Sequence, residues 1–180
     1  AVRERKAWRA PKKIVVLGGG PQPGSAYDAI SRAAPGAKVV LVSSSDEMAK
    51  AAVDADVVAG LTSAGGICEP EVLDNAKQLR WVYSFSAGVE RCVTVPSVKE
   101  RGLLVTNMRA IDGATIAEHS IAMALALARG LDMFLEAQAE ERWARNADAR
   151  SRMRTLNGKT MLVVGLGGIG AEVAERAHGI

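Results

Sequence analysis

The chain has 180 residues, enough for one α/β domain and part of another. Hydrophobic residues make up 48% and aromatic residues only 4%, so a core has to be built from Ala, Val, Leu, Ile and Met. The net charge of +3 is concentrated at the start: residues 1–13 hold six Lys and Arg against one Glu, and the remainder carries 17 basic and 19 acidic residues. That near-neutral body lacks the basic face that nucleic-acid binding requires, and the longest purely apolar stretch, Ile121 to Ala128, is far short of a membrane span.

Residues 1–11 read as a solvated basic arm. After it, short apolar runs alternate with helical patterns. Lys13–Leu17 reads as a first strand and Lys38–Val42 as a second. Asp56–Ala59, Trp81–Phe85 and Leu103–Thr106 read as a third, fourth and fifth. None alternates polar with apolar, which predicts strands buried on both faces, as in a parallel sheet. A helix is predicted to open at Ser45, with Asp46 and Glu47 in its first turn, and another near Pro70, running through Val72, Leu73, Ala76 and Leu79. The βαβ alternation predicts a doubly wound α/β domain over roughly residues 12–108.

Beyond it, Thr115 to Leu135 is a long Ala/Leu/Met pattern, predicted to be one helix buried on several sides and joining two domains. Arg142 to Asn157, with five Arg and one Met, reads as a connecting segment. Met161–Val164 then reads as a strand, and Ala171–Ala177 as a helix.

Between those last two lies Gly165-Leu166-Gly167-Gly168-Ile169-Gly170, a G-x-G-x-x-G turn in the strand–turn–helix setting that a dinucleotide pyrophosphate needs. The first Gly permits the tight turn, the second a close approach of phosphate, and the third close helix–strand packing; the helix start supplies N–H groups and a positive dipole end. The acidic residue that would hold the ribose about 20 residues on would fall past Ile180, so the sequence reads as a piece of a longer protein that has just begun a second domain.

Other features carry less. Gly18–Gly24 follows a strand, yet Pro23 stands where the third glycine of a nucleotide turn would be, and a surface loop is the reading. Ser86-Ala87-Gly88-Val89-Glu90 is a small turn after the fourth strand; it suits either a structural turn or a nest of N–H groups for a carboxylate. His119 and His178 have no acid nearby in sequence to orient them and read as packing or surface residues. Cys68 and Cys92 have neither redox nor metal-ligand spacing and are expected as free thiols in a reducing compartment, the cytoplasm; no metal site is legible.

The turn at Ser86–Glu90, then Thr106-Asn107, then Ile116-Ala117-Glu118-His119 opening a long helix, then Leu156–Thr160 leading into Gly165–Gly170, together resemble the D-isomer-specific 2-hydroxyacid dehydrogenase family, with its glyoxylate and hydroxypyruvate reductases. The resemblance is strong from residue 80 onward and rests on the α/β pattern alone before it. It implies a flavodoxin/Rossmann-like substrate domain over residues 12–110. Residues 111–180 would then be the interdomain helix and the first β-α unit of a second, NAD(P)-binding Rossmann domain. By resemblance, N–H groups of Ala87, Gly88 and Val89 would hold the substrate carboxylate, and Gly165, Gly167, Gly168, Ile169 and Gly170 the pyrophosphate of NAD or NADP. Ile116 stands where the family often has Thr near the nicotinamide. The family's catalytic Arg, acid and His would lie beyond Ile180, so the resemblance assigns no catalytic residue here. It implies hydride exchange between a small 2-keto acid and a D-2-hydroxy acid, no nucleic-acid or membrane partner, and a homodimer in the full-length protein. Two other readings stand beside it: a non-enzymatic, NAD-binding regulator of the corepressor type on the same fold, and a methyltransferase, which Val164 disfavours because those sites carry an acid before the first Gly.

Overall fold

The structure, a computed structural model, describes residues 10–18, 24–144 and 147–180. It divides into two compact units, residues 1–108 and residues 109–180. Residues 1–9 of the basic arm and residues 19–23 of the Gly/Pro loop lie outside the described residues.

In the first unit, β1 (Lys13–Leu17), β2 (Lys38–Val42), β3 (Val57–Gly60), β4 (Trp81–Ser84) and β5 (Leu104–Thr106) form one sheet in the order β2-β1-β3-β4-β5. Every pairing is parallel, with Val15 opposite both Val40 and Val58, and Val58 opposite Val82. This is the architecture the non-alternating runs predict, and the central strands β1 and β3 bury side chains on both faces. One face carries Val15, Val58 and Val82 against Met48, Val72, Leu73, Cys92 and Val98. Those residues come from α2 (Ser45–Ala51), α3 (Pro70–Asn75), α4 (Glu90–Val93) and α5 (Pro96–Glu100). The opposite face carries Ile14, Val16, Val57 and Ala59 against Ile30 of α1 (Ala26–Ala33), with Trp81, Tyr83 and Phe85 flanking it. Full burial of one such aliphatic side chain contributes about 1.5–3 kcal/mol, so the sheet is held from both sides.

Polar side chains close what the helices leave open. Ser44 caps α2 by accepting from Glu47 N, while the Glu47 carboxylate accepts from Ser43 N at 2.8 Å. α3 stops at Asn75, four residues short of the predicted Leu79, and the Arg101 guanidinium takes the freed carbonyls of Leu73, Ala76 and Leu79 at 2.7, 2.6 and 3.2 Å. At the opening edge of the sheet, buried Asp56 accepts from Lys12 N (2.7 Å), Lys13 N (3.2 Å) and the Arg80 guanidinium (2.9 Å), pinning the starts of β1, β3 and β4.

The two cysteines are bonded to each other, which corrects the expectation of free thiols: Cys68 and Cys92 form a disulfide with their Cα atoms 4.8 Å apart. Folding lays the loop after β3 against α4 and so brings together two residues that are 24 apart in sequence.

The second unit contains α6 (Gly113–Ala128), α7 (Leu131–Ala139), α8 (Ala147–Arg152) and α9 (Gly168–Ala177), and no strand among the described residues. The single long helix predicted over Thr115–Leu135 is two helices. Gly130 adopts φ 65°, a left-handed conformation that ends α6 and lets α7 start in a new direction. Nor is it buried on several sides: only Gly113 and Ala117 of α6 are buried, while Met123 and Leu127 are exposed. The connecting segment holds one short helix, α8. Met161–Val164 forms no strand, because no described strand of this unit lies beside it to complete a ladder; Leu162 and Val164 are 85% and 90% exposed.

Candidate functional site

Parallel strands deliver their following loops to one edge of the sheet. In the first unit this gathers the loops after β3, β4 and β5, and with them Thr62, the Ser86–Glu90 turn and Asn107. The buried Ser84 hydroxyl donates to Ser86 O (2.9 Å) and accepts from Ser86 N (2.9 Å), starting the turn. Asn107 Nδ2 donates to Ala87 O at 2.5 Å, and Thr62 Oγ1 donates to Gly88 O at 3.0 Å. No described residue accepts from the N–H groups of Ala87, Gly88 or Val89. The three residues named from the sequence therefore lie together, with their donors available. Sequence reasoning assigned no role to Thr62, Ser84 or Asn107. The signal for them was present: a polar residue in each loop that a parallel sheet must bring to one edge. Glu90 folds back over the turn, so that a Cβ on Gly88 would lie 2.7 Å from Glu90 Oε2.

In the second unit the G-x-G-x-x-G segment is a turn opening α9. Gly165 has φ 96°, a value that favours glycine. A Cβ on Gly170 would overlap Gly165 O and lie 3.0 Å from Gly165 C and 3.4 Å from Val163 Cγ1, so the third glycine allows helix and incoming chain to touch. Gly167, the N-cap of α9, has nothing within 4 Å of where its Cβ would stand. Gly168 touches the start of α6: a Cβ there would meet Ala110 Cβ at 2.9 Å, and one on Gly113 would meet Gly168 O at 3.2 Å. Arg176 fixes the far end of α9 to Glu172 within the helix and to Glu118 of α6, at 2.5 and 3.3 Å. The Glu172 hydrogen bond foremost raises the affinity of that guanidinium for its proton. The first intrahelical bond is Ala171 N to Gly167 O, which leaves the Gly168, Ile169 and Gly170 N–H groups at the positive end of a ten-residue helix. This arrangement fits a pyrophosphate: an anion-binding helix start with an open glycine on its approach side.

The two histidines, His119 in α6 and His178 at the end of α9, are exposed. No cluster of His, Cys, Asp and Glu suited to a metal ion occurs among the described residues. No helix of the described residues is long and apolar enough to cross a membrane.

Residues 121–180 match the family described as D-isomer specific 2-hydroxyacid dehydrogenase, NAD binding domain. The chain is 34% identical over 112 residues to a putative 2-hydroxyacid dehydrogenase of Staphylococcus haemolyticus, covering 61% of this chain and 34% of that protein. Over residues 121–180, a third of its length, the chain is similar to this family. It is also 32% identical over 112 residues to a D-3-phosphoglycerate dehydrogenase of Archaeoglobus fulgidus, covering 62% of this chain and 20% of the relative. Among solved structures it superposes on a D-isomer specific 2-hydroxyacid dehydrogenase family protein of Aeromonas salmonicida with a TM-score of 0.72 and 24% identity, over 93% of this chain and 50% of that one. The chain thus spans from a fifth to about a third of those two relatives and half of that structure.

Proposed function

We propose that these residues belong to an NAD(P)-dependent oxidoreductase that interconverts a 2-keto acid and a D-2-hydroxy acid. The observation that carries this reading is the turn at Gly165–Gly170, where one glycine is closed by packing, another is open on its approach side, and helix N–H groups stand between them, inside the segment that matches the family's NAD binding domain. Held by the Gly165–Gly170 turn, a nicotinamide cofactor would supply the hydride-transfer chemistry of such a reaction.

The chain's own residues bind and orient. Gly167, Gly168, Ile169 and Gly170 offer N–H groups to the pyrophosphate, and Gly165 sets the turn. Ala87, Gly88 and Val89 offer three successive N–H groups to the substrate carboxylate and so fix which way its carbonyl faces. The Arg, acid and His that would clamp that carbonyl and pass its proton are assigned to no residue here. The 180-residue chain alone is accordingly expected to bind NADH weakly and to turn nothing over.

The test is NADH and NADPH oxidation by the gene product that carries these residues, with glyoxylate and hydroxypyruvate as trial keto acids. Gly88→Val should raise KM for the keto acid, and Gly167→Val should raise KM for the cofactor. If no 2-keto acid supports oxidation, or if both variants behave as the parent does, the reading fails. A micromolar Kd for NADH on the isolated chain would overturn the expectation of weak binding.

A further inference from the structure

Three successive carbonyls of the Ser86–Glu90 turn are each held from the side of the protein. Ser86 O accepts from Ser84 Oγ at 2.9 Å and from Met108 N at 3.3 Å. Ala87 O accepts from Asn107 Nδ2 at 2.5 Å, and Gly88 O from Thr62 Oγ1 at 3.0 Å. In a planar trans peptide the C=O of one residue and the N–H of the next point in opposite directions. Fixing the carbonyls of Ser86, Ala87 and Gly88 therefore aims the N–H groups of Ala87, Gly88 and Val89 away from those partners. These are the three N–H groups with no acceptor among the described residues.

We infer that Thr62 and Asn107 are positioning residues: they set peptide orientation in the turn, and through it the affinity for a small carboxylate. This deepens the proposed function and rests on its reading of the turn as the carboxylate site. Thr62 is suited to the task because it is buried, so its hydroxyl has few competing water partners. Asn107 lies just past β5 and reaches across to the end of β4, so the register of two neighbouring strands fixes its distance from the turn. Each peptide is governed by one side chain: Asn107 sets the Ala87–Gly88 peptide, and Thr62 sets the Gly88–Val89 peptide.

That one-to-one assignment gives a readout that a general structural role would not produce. In the isotope-labelled 180-residue chain, Thr62→Val should shift the Gly88 carbonyl carbon and the Val89 amide while sparing the Ala87 carbonyl carbon and the Gly88 amide. Asn107→Leu should shift the Ala87 carbonyl carbon and the Gly88 amide. Thr62→Ser, which keeps the hydroxyl, should restore the parent pattern. Titration with sodium glycolate, a minimal 2-hydroxy carboxylate, should move the Ala87, Gly88 and Val89 amides in the parent and bind about fivefold to tenfold more weakly in Thr62→Val and Asn107→Leu, the size of one lost hydrogen bond. Shifts spread over the whole unit, or glycolate affinity within twofold of the parent in both variants, would overturn the positioning role. Turn amides of the parent that ignore glycolate, together with carbonyl shifts in the variants as expected, would overturn the carboxylate reading and leave the peptide-orienting role in place.

Discussion

Gly170→Ala and Gly167→Ala are the same chemical change three residues apart, and the structure assigns them opposite consequences. At Gly170 the new methyl overlaps Gly165 O and crowds Gly165 C at 3.0 Å and Val163 Cγ1 at 3.4 Å. Two of those three atoms are backbone, so relief requires α9 to move off the incoming chain. Overpacking of this kind costs about 1–3 kcal/mol. The ten-residue α9 packs along α6 and is fixed to it by Arg176 and the Gly113–Gly168 approach, so a shift that relieves the overlap also disturbs that packing. At Gly167 a methyl meets nothing within 4 Å, and φ is −80°, which any residue adopts. Amide hydrogen exchange of residues 168–177 is the assay. Gly170→Ala should speed exchange roughly 5- to 150-fold, the equivalent of that energy range, and Gly167→Ala should leave it unchanged. In the gene product that carries these residues, the proposed function has Gly167→Ala still weaken NADH binding, because it assigns the open side of Gly167 to the approaching phosphate. Equal exchange in parent and Gly170→Ala would refute the packing argument.

Asp56 and the disulfide give two further expectations for the first unit. Burial pushes the Asp56 carboxyl up, but hydrogen bonds from Lys12 N–H, the Arg80 guanidinium and Lys13 N–H together hold it below the ordinary aspartate range. Its stabilisation is therefore fully present above the unfolded value of about 3.9 and is lost as pH falls through the lower folded value. Asp56→Asn should lower the unfolding free energy read from urea titration at pH 7, by less than the roughly 3–5 kcal/mol of a fully buried pair because the Arg80 side chain is 26% exposed. The gap between variant and parent should close as pH falls through the folded value, and a pH-independent gap would contradict this. For the Cys68–Cys92 bond, the 24-residue separation corresponds to about 3.5 kcal/mol of loop-closure entropy in the unfolded chain. A dithiol reductant should expose two titratable thiols and lower the unfolding midpoint of the first unit, and an unmoved midpoint after complete reduction would show that the crosslink adds nothing to stability.

The sheet was legible because its signal is local. The central strands are apolar runs such as Ile14-Val15-Val16, and burial on both faces removes the need to know their neighbours. Turn glycines were legible for the same reason, since a φ of 96° at Gly165 is a property of one residue. What the sequence hid depends on distant partners. Val163 and Val164 have strand-forming side chains, but a strand exists only with a ladder, and no described strand stands beside them. Strong helix formers on both sides of Gly130 made one helix look continuous, although the glycine that ends it was visible. The Cys68–Cys92 pairing has no characteristic spacing and follows only once β3 and β4 are neighbours. Thr62, 26 residues from Gly88, is obscure for the same reason.

The two candidate sites therefore differ in how firmly this chain holds them. The Ala87–Val89 turn rises from a sheet whose strands all have hydrogen-bonded neighbours, and three of its carbonyls have fixed donors. The Gly165–Gly170 turn is held on one side by α9 against α6, while the chain entering it leaves Leu162, Val164 and Leu166 at 75–90% exposure. Burying three such side chains against neighbouring strands would contribute about 5–9 kcal/mol, at roughly 1.5–3 each. Ordering the six residues from Met161 to Leu166 costs a comparable amount, at about 1–2 kcal/mol per residue. Without that burial nothing offsets the ordering cost, and a ligand at this turn has to supply it from its own binding energy. That is why a glycine motif with the right local geometry is compatible with the weak NADH binding proposed for these 180 residues, and why the Ala87–Val89 turn is the better preorganised of the two.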